Sequence, residues 1–183
     1  MVINVEQFDI AVVGVGSAGS IVAGQLASMT NLRVVAIEAG GSDSRPEIKV
    51  PIGYGVTFFS SKVNWCYESE KQFQLNDRSL YCPRGKVIGG SGSINAMVYV
   101  HGQPGDYHDW ERNSNSEFGW QSVKSTFDVL EGKGKNISKN ILSVSDVSEQ
   151  HEPLLQRFFD ASQNVGFDFT KKINKDNYNC VGH

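Results

Sequence analysis

The sequence predicts an α/β fold, and three observations at its start carry that prediction. An apolar run, Phe8-Asp9-Ile10-Ala11-Val12-Val13, reads as a strand and feeds directly into Gly14-Val15-Gly16-Ser17-Ala18-Gly19. Ser20–Met29 then places Ile21, Val22, Leu26 and Met29 at helical spacing. Thr30-Asn31 breaks the pattern, and Arg33–Ile37, β-branched at Val34, Val35 and Ile37, reads as a second strand ending at Glu38. Strand, glycine turn, helix and parallel strand make one right-handed unit.

The turn has the chemistry of a diphosphate site. Gly14 permits a tight turn, Gly16 lets the backbone approach phosphate oxygens, and Gly19 lets helix and strand pack closely. Ser17 and Ala18 lie between them, where the helix N-terminus offers unpaired N–H groups and a positive dipole end. Glu38, with Ala39 after it, stands where such a unit places the carboxylate that hydrogen-bonds the ribose hydroxyls. A carboxylate there also repels a 2′-phosphate, which disfavours an NADP-type ribose. FAD and NAD share the ADP half, so this unit alone does not separate them.

A second glycine-rich stretch separates them: Tyr81-Cys82-Pro83-Arg84-Gly85-Lys86-Val87-Ile88-Gly89-Gly90-Ser91-Gly92-Ser93-Ile94-Asn95-Ala96-Met97-Val98-Tyr99. It resembles the first signature of the glucose–methanol–choline (GMC) flavoprotein oxidoreductases. The opening glycine turn resembles that family's FAD-binding start. Asn64-Trp65-Cys66-Tyr67 and His101-Gly102-Gln103-Pro104-Gly105-Asp106-Tyr107-His108-Asp109-Trp110 stand where family members carry related segments. The resemblance covers nearly the whole chain and thins between Arg112 and Ser148. An NAD-dependent dehydrogenase would use the same first turn but leaves Pro83–Val98 without a role.

The residue types of the second stretch suit a flavin. Gly89, Gly90, Ser91, Gly92 and Ser93 let main chain lie against a flat ring system. Asn95 and the backbone groups of Ala96, Met97 and Val98 can offer hydrogen bonds to the ring's polar edge. Arg84 and Lys86 add positive charge near the diphosphate or the reduced ring. The cofactor-binding residues implied are Gly14, Gly16, Ser17, Ala18, Gly19, Glu38, Ala39, Trp65, Arg84, Gly85, Val87, Gly89, Gly90, Ser91, Asn95, Ala96, Met97 and Val98. Some members attach the flavin through a histidine at the position held here by Ile94; isoleucine has no nucleophile, so non-covalent FAD is expected. His101 stands where arginine is usual, and Gly92 where serine is common.

The resemblance implies oxidation of a CH–OH group of an alcohol or choline-like donor, with hydride transfer to flavin N5. The family's catalytic histidine lies far towards the C-terminus. None of the four histidines here (His101, His108, His151, His183) falls in that motif, so no catalytic residue is assigned. The chain therefore reads as the FAD-binding portion of such an enzyme, or as a truncated module that holds FAD or ADP without turnover.

Composition narrows the partners. A net charge of −3 gives no basic stripe for nucleic acid. No apolar run reaches the length of a membrane span. With strand one so near Met1 there is no room for a signal peptide, and a cytoplasmic location is expected. Three widely spaced cysteines, Cys66, Cys82 and Cys180, suit reduced thiols, and no Cys or His pair has metal-ligand spacing. The expected partner is a small-molecule alcohol; oligomeric state is not legible.

Farther along, residues 40–61 read as loop, broken by Pro46, Pro51, Gly53 and Gly55. Asp106–Arg112 reads as a short helix exposing His108. Trp120–Glu131 reads as a helix with Val123, Phe127 and Leu130 on one face, stopped by Gly132-Lys133-Gly134. Pro153–Val165 reads as another, with Leu154, Leu155, Phe158, Phe159 and Val165 as a buried stripe. His151 flanks its start, and Asn136-Ile137-Ser138 is a chance glycosylation match. The expected organisation is an FAD-binding domain over residues 1–165, with a Rossmann-like sheet that later segments would complete. Residues 166–183 would begin the region leading to a substrate domain.

Overall fold

The computed structural model describes residues 6–114, 116–133, 142–147, 152–174 and 180–182. His151, His183, Gly134 and the Asn136-Ile137-Ser138 match lie outside the described residues. The chain divides into two compact units, residues 1–98 and 99–183.

The first unit opens as its sequence predicts. Strand β1 (Ile10–Val13) runs into helix α1 (Ser17–Met29) and returns as β2 (Val34–Ile37). The strands pair in parallel, Ile10 with Val34 through Val13 with Ile37. Helix α1 begins three residues earlier than its apolar pattern suggests, because Gly16 is already extended at the N-cap and Ser17 and Ala18 enter the helix. The Asp9 carboxylate accepts the Arg33 N–H at 2.7 Å and fixes the start of the second strand against the first.

Residues 40–61, expected as loop, contain two one-turn helices, α2 (Pro46–Lys49) and α3 (Tyr54–Thr57), joined by a 3-10 turn at Pro51–Gly53. Pro46 and Pro51 act here as helix starters rather than breakers, since a first-turn residue needs no N–H donor. Beyond them β3 (Tyr67–Glu68) and β4 (Tyr81–Cys82) pair antiparallel. The loop between them is closed by Ser69 N–H to the Leu80 carbonyl at 2.9 Å and Gln72 N–H to the Arg78 carbonyl at 3.1 Å. Its tip carries Phe73, exposed, and two left-handed residues, Asn76 and Asp77.

Asn64 ties these pieces together. It is 1% exposed, and its Oδ1 accepts the N–H of Cys66 and of Arg84, both at 2.9 Å. Its Nδ2 donates to the Phe58 carbonyl at 2.7 Å and to Tyr81 Oη at 3.3 Å, so the buried amide is satisfied at both ends. Around it Val63, Val87 and Ile94 form a small apolar core with Ile48 packed against it.

The second unit holds α4 (Pro104–Asn113), α5 (Trp120–Leu130), α6 (Pro153–Asn164) and a parallel pair, β5 (Asp168–Thr170) with β6 (Cys180–Gly182). Helix α4 is longer than expected because Gln103 and Asp106 form a reciprocal capping box with Pro104 in the first turn. Val123, Phe127 and Leu130 of α5 are half-buried, and His108 is exposed, as the sequence suggests. The stripe on α6 is a correction: only Phe159 is buried, against Phe169 of β5 at 5.0 Å between ring centroids. Leu154, Leu155, Phe158 and Val165 are exposed because β5 covers too little of the helix to reach them.

Among the described residues of this unit, a polar cluster centres on Glu131. Its Oε1 accepts from Tyr99 Oη at 2.9 Å and His101 Nε2 at 2.7 Å, and its Oε2 pairs with Lys133. His101 stacks on Phe127 at 3.9 Å, and the Asn174 side chain bridges the His101 N–H and the Tyr99 carbonyl. Burial pushes the Glu131 carboxyl up, but the hydrogen bonds from Lys133, Tyr99 and His101 outweigh it and hold it below its ordinary value. Burial, and then Glu131, pushes the Tyr99 phenol up to about 12.

Two outcomes follow from this packing. Parallel strands are normally covered on both faces, yet Val13 is 81% and Met29 77% exposed, with Val22 and Ile37 about half exposed. The 183-residue chain by itself is expected to melt broadly and bind a hydrophobic dye; a sharp cooperative transition of the monomer without cofactor would contradict this. A carboxyl held low stabilises the fold above its ordinary pKa, and that contribution is lost as pH falls through the lowered value. Thermal midpoints followed downward from pH 5 should therefore decline, and Glu131→Gln should flatten the decline.

Candidate functional site

The site grows from the turn after β1. Gly14 has φ +88°, a left-handed conformation that a side chain would strain. The Gly14 N–H donates to the Ile37 carbonyl at 2.7 Å, which extends the strand pairing into the turn. A Cβ on Gly19 would strike the Gly14 carbonyl and touch Val12, so the third glycine sets the distance between α1 and β1. Around Gly16 a Cβ would meet only Gly90 Cα at 3.7 Å; otherwise the space there is open, as a group approaching the helix N-terminus requires. Ser17 and Ala18 are exposed at that N-terminus.

Glu38 has a task that sequence reasoning did not find. Its Oε2 accepts the Val15 N–H at 2.8 Å and its Oε1 accepts the Gly40 N–H at 2.9 Å. The carboxylate therefore bridges the first glycine turn and the chain beyond β2. Each oxygen keeps a second lone pair for an outside donor such as a ribose hydroxyl. Ala39, between the two contacts, is exposed.

The second glycine-rich stretch lies against the first. The Gly89 N–H donates to the Val15 carbonyl at 2.7 Å. Gly90, buried and left-handed at φ +59°, presses so close that a Cβ on it would sit 2.7 Å from Gly16 Cα. A Cβ on Gly92 would come within 2.9 Å of Ser17 Oγ, so glycine at this position leaves the serine room. Val87 is buried in the core, and its residue bridges to Gly41 in parallel, with Ile88 N–H to the Gly41 carbonyl at 2.9 Å. Gly85 donates to Ser91 Oγ at 3.1 Å, which folds the stretch back on itself. Gly90–Ser93 then forms a 3-10 turn.

Downstream, the Asn95 side chain accepts the Met97 N–H at 2.8 Å, and Met97 is left-handed at φ +60°. Asn95, Ala96, Met97 and Val98 are all exposed, with the Asn95 amide group still able to donate. Ile94 points the other way, into the core with Val63 and Val87. On the rim, Trp65 stacks on Tyr67 at 5.8 Å and 6°, and the Lys86 ammonium lies 4.4 Å over the Trp65 ring. Trp65 N–H donates to the Arg84 carbonyl at 2.8 Å, so the 63–65 and 84–86 segments run side by side; Arg84 itself is exposed.

The predicted residues from Gly14 to Val98 thus share the first unit, and the two glycine stretches among them are in direct contact. The structural role of Asn64 and the second role of Glu38 were not visible in the sequence; for Asn64 the signal was its place at the head of the Asn64–Tyr67 segment that resembles the family's. Among the described residues no group of His, Cys, Asp and Glu could hold a metal ion, and no helix is long and apolar enough to cross a membrane. Cys66 and Cys82 are free thiols.

Comparison with known proteins agrees with this geometry. Residues 8–183 match the model of the N-terminal region of the GMC oxidoreductases. The chain is 36% identical over 181 residues to an alcohol dehydrogenase [acceptor] of Pseudomonas putida, covering 96% of this chain and 33% of that protein. It is 38% identical over 173 residues to an oxygen-dependent choline dehydrogenase of Rhizobium johnstonii, covering 92% and 31%. The crystal structure of pyridoxine 4-oxidase from Mesorbium loti superposes with a TM-score of 0.81 at 29% identity, covering 93% of this chain and 34% of that one. The chain spans about a third of the length of these relatives.

Because Glu38 holds the Val15 and Gly40 amides, removing it should loosen the turn even without a ligand. Glu38→Ala is expected to destabilise the first unit by about 1–3 kcal/mol, the cost of leaving such groups unpaired. Faster amide hydrogen exchange at Val15 and Gly40 would register the change, and unaltered exchange at both would refute it.

Proposed function

Given that this chain belongs to the GMC oxidoreductase family, whose members use FAD, we propose that it holds FAD non-covalently across its two glycine stretches and serves the oxidation of a CH–OH group. The observation that carries this reading is the contact of Gly89 and Gly90 with Val15 and Gly16. One continuous bare-backbone surface follows from it, with space for a diphosphate at one end and exposed polar groups for a ring at the other. Residues 1–165 are read as the FAD-binding domain and 166–183 as the start of the region beyond it.

Each part of the chain has a share in that surface. Gly14, Gly16, Ser17, Ala18 and Gly19 would receive the diphosphate, and the free lone pairs of Glu38, beside Ala39, would take the ribose hydroxyls. Gly85, Val87, Gly89, Gly90 and Ser91 would let the main chain lie along the cofactor, with Trp65 and Arg84 on its rim. Asn95 and the backbone of Ala96, Met97 and Val98 would donate to the polar edge of the ring. Ile94 faces the core, which supports a flavin held without a covalent bond. Bound FAD would supply a hydride acceptor at N5.

The substrate is read as a small alcohol, since alcohol and choline dehydrogenases are the relatives, and the place of work as the cytoplasm. No residue of this chain is assigned as the base that removes the hydroxyl proton. A second reading is supported by the glycine stretches themselves, which offer groups for a nucleotide and none for moving a proton: this polypeptide by itself binds FAD or ADP without turnover.

Titration of FAD onto the chain should give a yellow complex whose colour is released unattached on acid denaturation. Gly90→Ala, which forces a side chain into Gly16, should weaken that complex by about tenfold or more. Absence of FAD binding by the folded wild-type chain would overturn the reading.

A further inference from the structure

The second glycine stretch is placed by a relay of main-chain contacts that starts at one buried side chain. Residues 63–65 and 84–86 run antiparallel, with Lys86 N–H donating to the Val63 carbonyl and Trp65 N–H to the Arg84 carbonyl, both at 2.8 Å. In a regular ladder the Arg84 N–H would return a bond to the Trp65 carbonyl. Here it donates to Asn64 Oδ1 at 2.9 Å, so a side chain takes the place of a ladder bond. Gly85 is next in line. Its N–H donates to Ser91 Oγ at 3.1 Å, and a Cβ on it would strike the Gly90–Ser91 peptide. Gly90 in turn lies against Gly16. From Asn64 to the first glycine turn, backbone rests on backbone with little side chain between to absorb a shift.

Val87 and Ile94 hold the same stretch from the core side. Apolar packing is non-directional and fixes depth, whereas hydrogen bonds are directional and fix register along the chain. Asn64 is suited to the second task because its amide cannot turn. The same Oδ1 accepts the Cys66 N–H at 2.9 Å, and Nδ2 donates to the Phe58 carbonyl at 2.7 Å and to Tyr81 Oη at 3.3 Å. The Cys66 contact also holds that residue in its left-handed turn at φ +51°.

We infer that Asn64 is a positioning residue for the cofactor, setting where Gly89–Ser91 lies along the first glycine turn without touching the ligand itself. This rests on the flavin reading above. The first turn has its own support in Glu38, so loss of Asn64 falls on ligands that need both stretches. FAD needs both, and ADP needs the first alone.

The test titrates FAD and ADP separately onto the 183-residue chain and its variants, with circular dichroism reporting the fold of each. Wild type is expected to bind FAD at least about tenfold more tightly than ADP. Asn64→Ala should weaken FAD by about tenfold and ADP by less than about threefold. Asn64→Asp keeps an acceptor for the Arg84 and Cys66 amides but sets a carboxylate oxygen against the Phe58 carbonyl. Its melting midpoint should fall while its FAD affinity stays within about threefold of wild type, which separates register from stability. Where Asn64→Ala does not fold, Asn64→Ser, too short to reach the Arg84 amide, carries the same expectation. Equal losses for FAD and ADP, or no loss in a folded Asn64→Ala, would overturn the inference and leave the flavin reading intact. So would an Asn64→Asp variant that loses FAD as fully as Asn64→Ala. A wild-type chain that binds FAD no better than ADP would overturn it too. One that binds neither ligand would remove the flavin reading and this inference together.

Discussion

The structure of the first unit depends on one close approach of backbone to backbone. Gly89 donates its N–H to the Val15 carbonyl, and Gly90 lies against Gly16 with no side chain between them. Side chains at this crossing would separate the two stretches by several ångströms. The nucleotide turn and the ring-facing turn would then be two loops rather than one surface. Both stretches are held from behind, the first by Glu38 and the second by Val87 and Ile94 in the core. The contact is therefore supported without a ligand, which limits the ordering a ligand must induce.

Glu38 shows how one side chain can serve fold and binding together. Its two oxygens hold amides on either side of the nucleotide turn, yet each retains a lone pair that no described residue fills. A neutral amide side chain could accept on its oxygen, but its NH₂ would face an N–H donor. Acidity at this position is thus demanded by the backbone as well as by a ribose.

Much of this was legible from residue order. The βαβ unit was, because its signals are local: β-branched strands, a helical stripe and glycines between them all lie within a few residues of one another. The pairing of the two glycine stretches was legible only through resemblance, since Val15 and Gly89 are far apart in sequence and nothing in their composition records the contact. The clasping role of Asn64 was not legible, although the segment it heads was. Its partners at 58, 66, 81 and 84 come from separate turns, and an asparagine in sequence looks the same whether it is buried or solvated. On α6 the apolar stripe read as core, but periodicity records which face is apolar and not whether anything covers it; of that stripe Phe159 is buried, against Phe169. The one-turn helices at 46–57 were missed because proline reads as a breaker unless the register of the first turn is known.

The clasp around Asn64 has a consequence for how this protein can vary. It pins the base of the hairpin whose loop runs from Ser69 to Leu80, while Phe73 and the left-handed pair Asn76 and Asp77 sit at the far end. Length added at that tip changes loop-closure entropy only logarithmically and leaves the base untouched. The hairpin is thus a natural port for an inserted epitope or a fluorescent reporter, and a place where related chains can drift in length without disturbing the nucleotide turn.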